Sequence, residues 1–173
     1  MASRFARWPF VTASAEMSSI HAMTYCEEAE VDTHFPTLDP DVRALLDGPN
    51  FVHLCTLMAD GSPHSTVVWG ATHGEHAIVF TNNPGGLKGR NMARDPRVAI
   101  TVVDRENPYR AGQLRGRVEG TLTGAEADAL VDAMSVKFTG DPFPMRDNTV
   151  YLIAPEYSRF AALPFADTPA KTE

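Results

Sequence analysis

Apolar runs of strand length, broken at short intervals by turn residues, constrain this chain more than anything else in it. Phe51 to Met58, His64 to Trp69, His76 to Phe80 and Val98 to Val103 are such runs, rich in β-branched and aromatic residues. Asp60-Gly61 supplies a hairpin turn between the first two. Thr72 to Glu75 turns the chain again, so residues 51–81 read as a meander of antiparallel strands. Gln113 to Glu119 alternates with period two: Gln113, Arg115, Arg117 and Glu119 point one way, Leu114, Gly116 and Val118 the other. Val150 to Ile153 and Tyr157 to Ala162 read as the last two strands.

Helices are few. Asp39 caps one that has Pro40 in its first turn and Val42, Leu45 and Leu46 on its apolar side; Gly48-Pro49 ends it. Thr123 and Glu126 have the spacing of a capping box. They open a helix whose stripe runs through Ala127, Leu130, Val131 and Met134 toward Phe138, with Gly140 at its end. Antiparallel strands with so few helices predict a mainly β fold, a closed or split β-barrel with helices packed outside.

Thr81 to Arg97 interrupts the strands differently. A loop rich in Gly and Asn (Thr81 to Gly86) leads into a short helix over Leu87 to Arg94, stopped by Pro96. Lys88, Arg90, Arg94 and Arg97 concentrate positive charge there in a chain of net charge -7. Lys88, Asn91 and Met92 share helical spacing, so an ammonium and an amide are expected on one face. With the free amides of a helix start, these groups suit a phosphate or carboxylate; a solvated basic helix is the alternative.

The acidic balance excludes a general nucleic-acid binder. With 43% hydrophobic residues in 173, the chain can bury one well-formed core. Cys26 and Cys55 lie far apart in unlike contexts, which argues against a disulfide framework and for a reducing cytoplasm. No apolar run approaches the ~20 residues that span a bilayer, so no membrane partner is expected. Residues 1–37 read as an N-terminal extension of low order, with Met17 or Met23 as alternative starts. Residues 38–163 read as the folded domain and 164–173 as a tail.

Several residues invite sharper readings than their context supports. His21, Cys26 and His34 match no compact metal site, and His73-Gly74-Glu75-His76 falls at a turn; no metal is expected. His53 reads as a core histidine, Trp69 as a core or interface aromatic. Arg115 and Arg117 could pair with Glu119 on an exposed sheet face. Neither Ser65 nor Cys55 has the setting of a nucleophile.

Asp60-Gly61-Ser62-Pro63, Val68-Trp69, Phe80-Thr81-Asn82, Lys88 with Asn91, and Asp95-Pro96-Arg97-Val98, in this order, resemble the pyridoxamine 5'-phosphate oxidase-like split barrels. Asn107-Pro108-Tyr109-Arg110 and Arg115-Gly116-Arg117-Val118 are similar to the branch of flavin and deazaflavin oxidoreductases, many of which use coenzyme F-420. The resemblance implies a homodimer with cofactors in grooves between subunits. Lys88 would contact the cofactor phosphate, helped by Asn91 and the amides near Gly85-Gly86, and Arg90 would join it in meeting the acidic tail of coenzyme F-420. Thr81 and Asn82 would sit beside the phosphate or ribityl chain. His64, Ser65, Thr66, Val67 and Val68 would run along the edge of the ring. Tyr109, Gln113 and Arg115 would contribute across the dimer interface. Many relatives carry a basic residue two positions before the lysine, where this chain has Gly86.

The implied activity is hydride transfer between reduced coenzyme F-420 and an unsaturated small-molecule acceptor, without a side-chain nucleophile. Three alternatives stay open: an FMN enzyme of the same fold, a non-catalytic flavin- or haem-binding protein, and a purely structural dimeric domain.

Overall fold

This computed structural model describes residues 37–165. The readings made on the N-terminal extension and its His21, Cys26 and His34, and on most of the tail, lie outside them.

Asp39 caps α1 (Pro40–Asp47) as its sequence predicts: its carboxylate accepts from the amides of Asp41 and Val42 at 2.8 and 3.2 Å. β1 (Val52–Leu57) and β2 (Pro63–Val68) then form a hairpin through Met58 to Ser62. Gly61 adopts φ +82 there, and Asp60 accepts from the Ser62 amide. After a break at Trp69, β3 (Gly70–His73) turns through Gly74-Glu75 into β4 (His76–Thr81). α2 (Leu87–Arg94) leads to β5 (Arg97–Val103), and β6 (Arg110–Leu122) leads to α3 (Gly124–Thr139) and β7 (Thr149–Ala162).

The strands make one antiparallel sheet in the order β2-β1-β5-β6-β7-β4-β3. This corrects the expected meander. β2 and β3 are the two edges of the sheet, yet only Trp69 separates them in sequence. The segment from Pro63 to His73 therefore leaves one edge and joins the other, which curls the sheet toward a barrel. β4 pairs with β7 instead of β2, because it must cover the barrel's far side.

Two expected strands are also one. β7 runs unbroken through Pro155, and its pairing with β6 slips twice. Arg115 faces Tyr157 while Gly116 faces Pro155, leaving Glu156 extra; Val118 faces Ile153 while Gly120 faces Leu152, leaving Glu119 extra. The first bulge accommodates a proline that cannot donate to the ladder. Gly116 is required at this crowding, since a Cβ there would lie 2.1 Å from the Ala154 carbonyl oxygen.

Alternation sorts the strands onto two cores. Val52, Leu54, Val98, Ile100, Val102, Leu114 and Ile153 face inward with Val42, Leu45 and Leu46 of α1. On the other side α3 lays Ala127, Val131 and Met134 over Ile78 and Val150. β4 is buried on both faces, Ala77 and Val79 in the first core and Ile78 in the second, which explains its unalternating apolar run. Lys137 ties α3 to both neighbours, donating to the carbonyls of Leu46 and Gly70 at 2.9 and 2.7 Å. Burial lowers the affinity of that amine for its proton, and the nearby Asp47 opposes the shift.

Two local expectations need correcting. Thr123 stands at the start of α3, but its side chain makes no capping bond, so the box is not closed. His53 is exposed, because β1 turns Val52 and Leu54 inward and its odd partners outward.

Candidate functional site

At the edge of the barrel, two adjoining hollows of about 230 and 260 Å³ share Thr81, Asn82 and Lys88. β2 forms one wall. The end of β4 and the start of α2 form the other.

One hollow is apolar, lined by Val67, Val68, Trp69, Phe80 and Phe143. Its rings brace one another. Trp69 stacks on Phe138 (centroids 5.0 Å apart, planes at 10°) and meets Phe143 edge-on at 6.0 Å; Phe143 in turn meets Phe80 at 5.2 Å. Trp69 is thus a packing residue and a wall of the hollow at once. Phe143 is missing from the sequence reading. It comes from the connection between α3 and β7, which α3 holds down. Asp132 accepts from the Phe143 amide at 3.0 Å and from Arg146 at 2.7 Å, and Asp128 accepts from the Asn148 side chain at 2.8 Å. These bonds from Asn148 hold the Asp128 carboxyl below its ordinary range. Aspartates one helical turn apart on α3, facing Asp141-Pro142-Phe143-Pro144, are the signal that could have flagged this wall.

The other hollow is polar, lined by His64, Thr66, Thr81, Asn82, Asn83, Gly86, Leu87 and Lys88. The loop above it is self-bonded. Thr81 Oγ1 accepts from the Asn83 amide at 3.1 Å, the Gly86 amide donates to Asn83 O at 2.9 Å, and Arg90 reaches back to Gly85 O. Gly86 caps α2 without a side chain. The first intrahelical bond is Arg90 N to Gly86 O, so the amides of Leu87, Lys88 and Gly89 lack helical partners. Gly89 permits the tight fold of loop on helix: a Cβ there would lie 2.0 Å from the Pro84 carbonyl oxygen. Lys88 is half-buried and forms no ion pair among the described residues. This end offers one cation, unclaimed amides and side-chain donors, and an anion answers all three.

The structure thus brings His64, Thr66, Val67, Val68, Thr81, Asn82, Gly86 and Lys88 together. It places the other expected residues elsewhere. Ser65 alternates to the opposite face of β2. Asn91 is 1% exposed and donates to Thr56 Oγ1 at 3.0 Å while accepting from Arg94, so its amide fastens α2 to β1 instead of flanking Lys88. Tyr109 packs against Phe165, with centroids 5.3 Å apart. Gln113 and Arg115 lie on the outer face of β6, in rows running Val67, His53, Thr101, Gln113, Arg159 and Ser65, Cys55, Ala99, Arg115, Tyr157 across the sheet. Arg115 sits over the Tyr157 ring at 4.6 Å beside a separate hollow of about 250 Å³ that includes Cys55. Arg117 faces Glu156 at 3.8 Å, not Glu119, because the bulge turns Glu156 outward. Glu119 faces His76 across the sheet at 3.3 Å.

Residues 38–161 match the protein family described as pyridoxamine 5'-phosphate oxidase. A pyridoxine/pyridoxamine 5'-phosphate oxidase of Paracidovorax citrulli is 36% identical over 94 residues, which are 53% of this chain and 40% of that protein. One from Pseudomonas paraeruginosa is 33% identical over 84 residues, 47% and 37% of the two chains. The chain therefore spans about two-fifths of the length of the curated relatives it matches. Among solved structures, an F420 reductase superposes with a TM-score of 0.61 at 27% identity, covering 70% of this chain and 98% of that one.

Proposed function

From the premise that the chain belongs to the pyridoxamine 5'-phosphate oxidase family, we propose that it is an oxidoreductase that uses reduced coenzyme F-420 to reduce an unsaturated small molecule. The observation that carries this reading is the two-ended groove. A flat apolar ring fits the end lined by Val67, Val68, Trp69, Phe80 and Phe143, and an anionic tail fits the end with Lys88 and the free amides of α2. The residues present fit such a group, since both its ring and its charge find complementary partners within one continuous groove. The F420 reductase supports the deazaflavin form, because nearly the whole of that chain is matched, whereas the curated oxidases are matched over a minority of theirs.

When bound, the reduced deazaflavin supplies a hydride to an electron-poor double bond. The chain's own work is positional. Lys88 and the α2 amides fix the anionic end, which sets the register of the ring along β2. Trp69, Phe80 and Phe143 exclude water from the ring and leave the acceptor a dry, apolar face. The groove is open on one side, and a second copy of the chain, bringing Tyr109 and the outer-face residues Gln113 and Arg115, is the proposed cover. Cytoplasmic placement belongs to the same proposal.

An FMN-dependent enzyme is the second reading, supported by the curated oxidases. Fluorescence titration of purified, cofactor-free protein with coenzyme F-420 and with FMN separates the two. We expect micromolar or tighter binding of the first and weaker binding of the second; the reverse order assigns the protein to FMN, and binding of neither overturns both. Tight binding with no turnover of any acceptor would make it a carrier.

A further inference from the structure

We propose that Lys137 is a site of acyl modification, an amine that takes a short acyl group from a thioester and thereby loosens the wall behind the groove. A hollow of about 190 Å³ opens where α1, β3 and α3 meet, and Lys137 lines it with Asp47, Ala71, Ile78, Leu130 and Met134. The side chain is half-buried and donates to the carbonyls of Leu46 and Gly70 at 2.9 and 2.7 Å. An ammonium has three hydrogens, and these carbonyls take two of them. Lys137 forms no ion pair among the described residues that would claim the third. Asp47 is engaged by the amide and hydroxyl of Thr72, each at 2.9 Å, and Arg43 is drawn off to Thr72, Gly74 and Glu75. Loss of the third hydrogen leaves an amine with both hydrogens bonded and its lone pair free toward the hollow. Burial favours that form, against the opposing charge of Asp47. A lysine desolvated among apolar walls is an activated nucleophile. Asp47 repels an anionic donor such as an acyl phosphate, so the uncharged thioester is the fitting electrophile.

In the reaction the nitrogen lone pair bonds to the acyl carbon and the carbon–sulfur bond breaks, its electrons going to sulfur. The proton lost from nitrogen passes to the thiolate, and nothing is oxidised or reduced. The amide so formed keeps one N–H, so either Leu46 or Gly70 loses its bond. Lys137 Nζ lies 5.2 Å from the centre of the Phe138 ring, and that ring stacks on Trp69. Acylation therefore acts on the back of the apolar end of the groove. This consequence, unlike the site, rests on the oxidoreductase reading above.

The chain's lysines are Lys88, Lys137 and Lys171, so peptide mapping follows the reaction at each. Full-length protein at neutral pH is treated with a trace of N,S-diacetylcysteamine, a neutral thioester, with Nα-acetyllysine amide as internal standard. Lys137 should acylate about fivefold or more faster than the standard and lose that lead in urea, where the hollow is gone. A rate at or below the standard in the folded protein overturns the site, as does a lead that persists in urea. Acetyl phosphate in place of the thioester should give a smaller lead; a larger one overturns the donor class. Lys137→acetyllysine, installed during translation, then tests the consequence with Lys88 intact. Its thermal midpoint should fall by about 5 °C and its affinity for coenzyme F-420, or for FMN if that is bound instead, about fivefold. Lys137→Arg, which can still donate to both carbonyls, should stay closer to the parent on both measures. Unchanged stability and affinity in Lys137→acetyllysine would overturn the coupling to the groove. If the parent binds neither cofactor, the oxidoreductase reading fails while the labelling result decides the site.

Discussion

The two ends of the groove are built on opposite principles. At the apolar end the rings satisfy one another: Trp69, Phe138, Phe80 and Phe143 pack whether or not a ligand is present. At the polar end the loop bonds to itself, but several groups that line the hollow have no partner. Lys88 has no ion pair among the described residues, three helix-start amides have no helical partner, and the His64 Nδ1 is orphaned. Ring packing contributes to folding; the unclaimed polar groups contribute only when a ligand arrives. Variants at the two ends should therefore fail in different ways.

The sharpest break is Trp69→Ala. It removes contacts to three rings at the residue that joins the two edge strands, and should cost about 3 kcal/mol of stability, or a thermal midpoint lower by about 10 °C. Urea denaturation measures it. A loss below about 1 kcal/mol would mean that the aromatic end is not a packing unit. Next is Gly89→Ala, whose new methyl group meets the Pro84 carbonyl. It should cost about 2 kcal/mol of stability and weaken cofactor binding as well, because the loop must lift from α2. Lys88→Ala follows, with the opposite signature. Affinity should fall about 30-fold, roughly 2 kcal/mol, while the thermal midpoint stays within a few degrees. A matching fall in stability would erase the contrast between the ends.

The smallest effect concerns pH. Arg97, donating through its guanidinium and its amide, lowers the Asp95 carboxyl from an ordinary 3.8 to about 2. Because the folded state holds the carboxylate more firmly, its contribution is complete above about pH 4 and disappears as pH falls through about 2. The pair is exposed, so the contribution is slight. Thermal midpoints of the parent and Asp95→Asn should differ at neutral pH and converge in acid. A gap that persists at the lowest pH would refute the pairing.

Where sequence and structure agree, the cause is local. Asp39 and Pro40 start α1, Gly61 makes the turn before β2, and Gly140 in a left-handed conformation ends α3, each through bonds spanning a few residues. The alternation of β6 sorts Leu114 from Arg115 for the same reason. Strand partners are a different matter. No signal near Trp69 says that β2 and β3 belong to opposite edges of the sheet, nor can Pro155 announce a bulge that depends on Gly116 of another strand.

The candidate site divides along the same line. Lys88, Thr81, Asn82 and the β2 residues were legible because they lie within the short motifs that resemble the family. Asn91 shares helical spacing with Lys88, yet Thr56 and Met58 of a distant segment draw its amide inward. Phe143 belongs to no motif, and Asp128 and Asp132 place it only after α3 has docked. By itself the sequence determined most of the elements, the mainly β class and the loop that could hold an anion, since these depend on neighbours along the chain. Which walls face that loop, which amide is consumed in packing and which imidazole is left unsatisfied were decided by the tertiary structure, because each depends on atoms that meet only when the sheet closes.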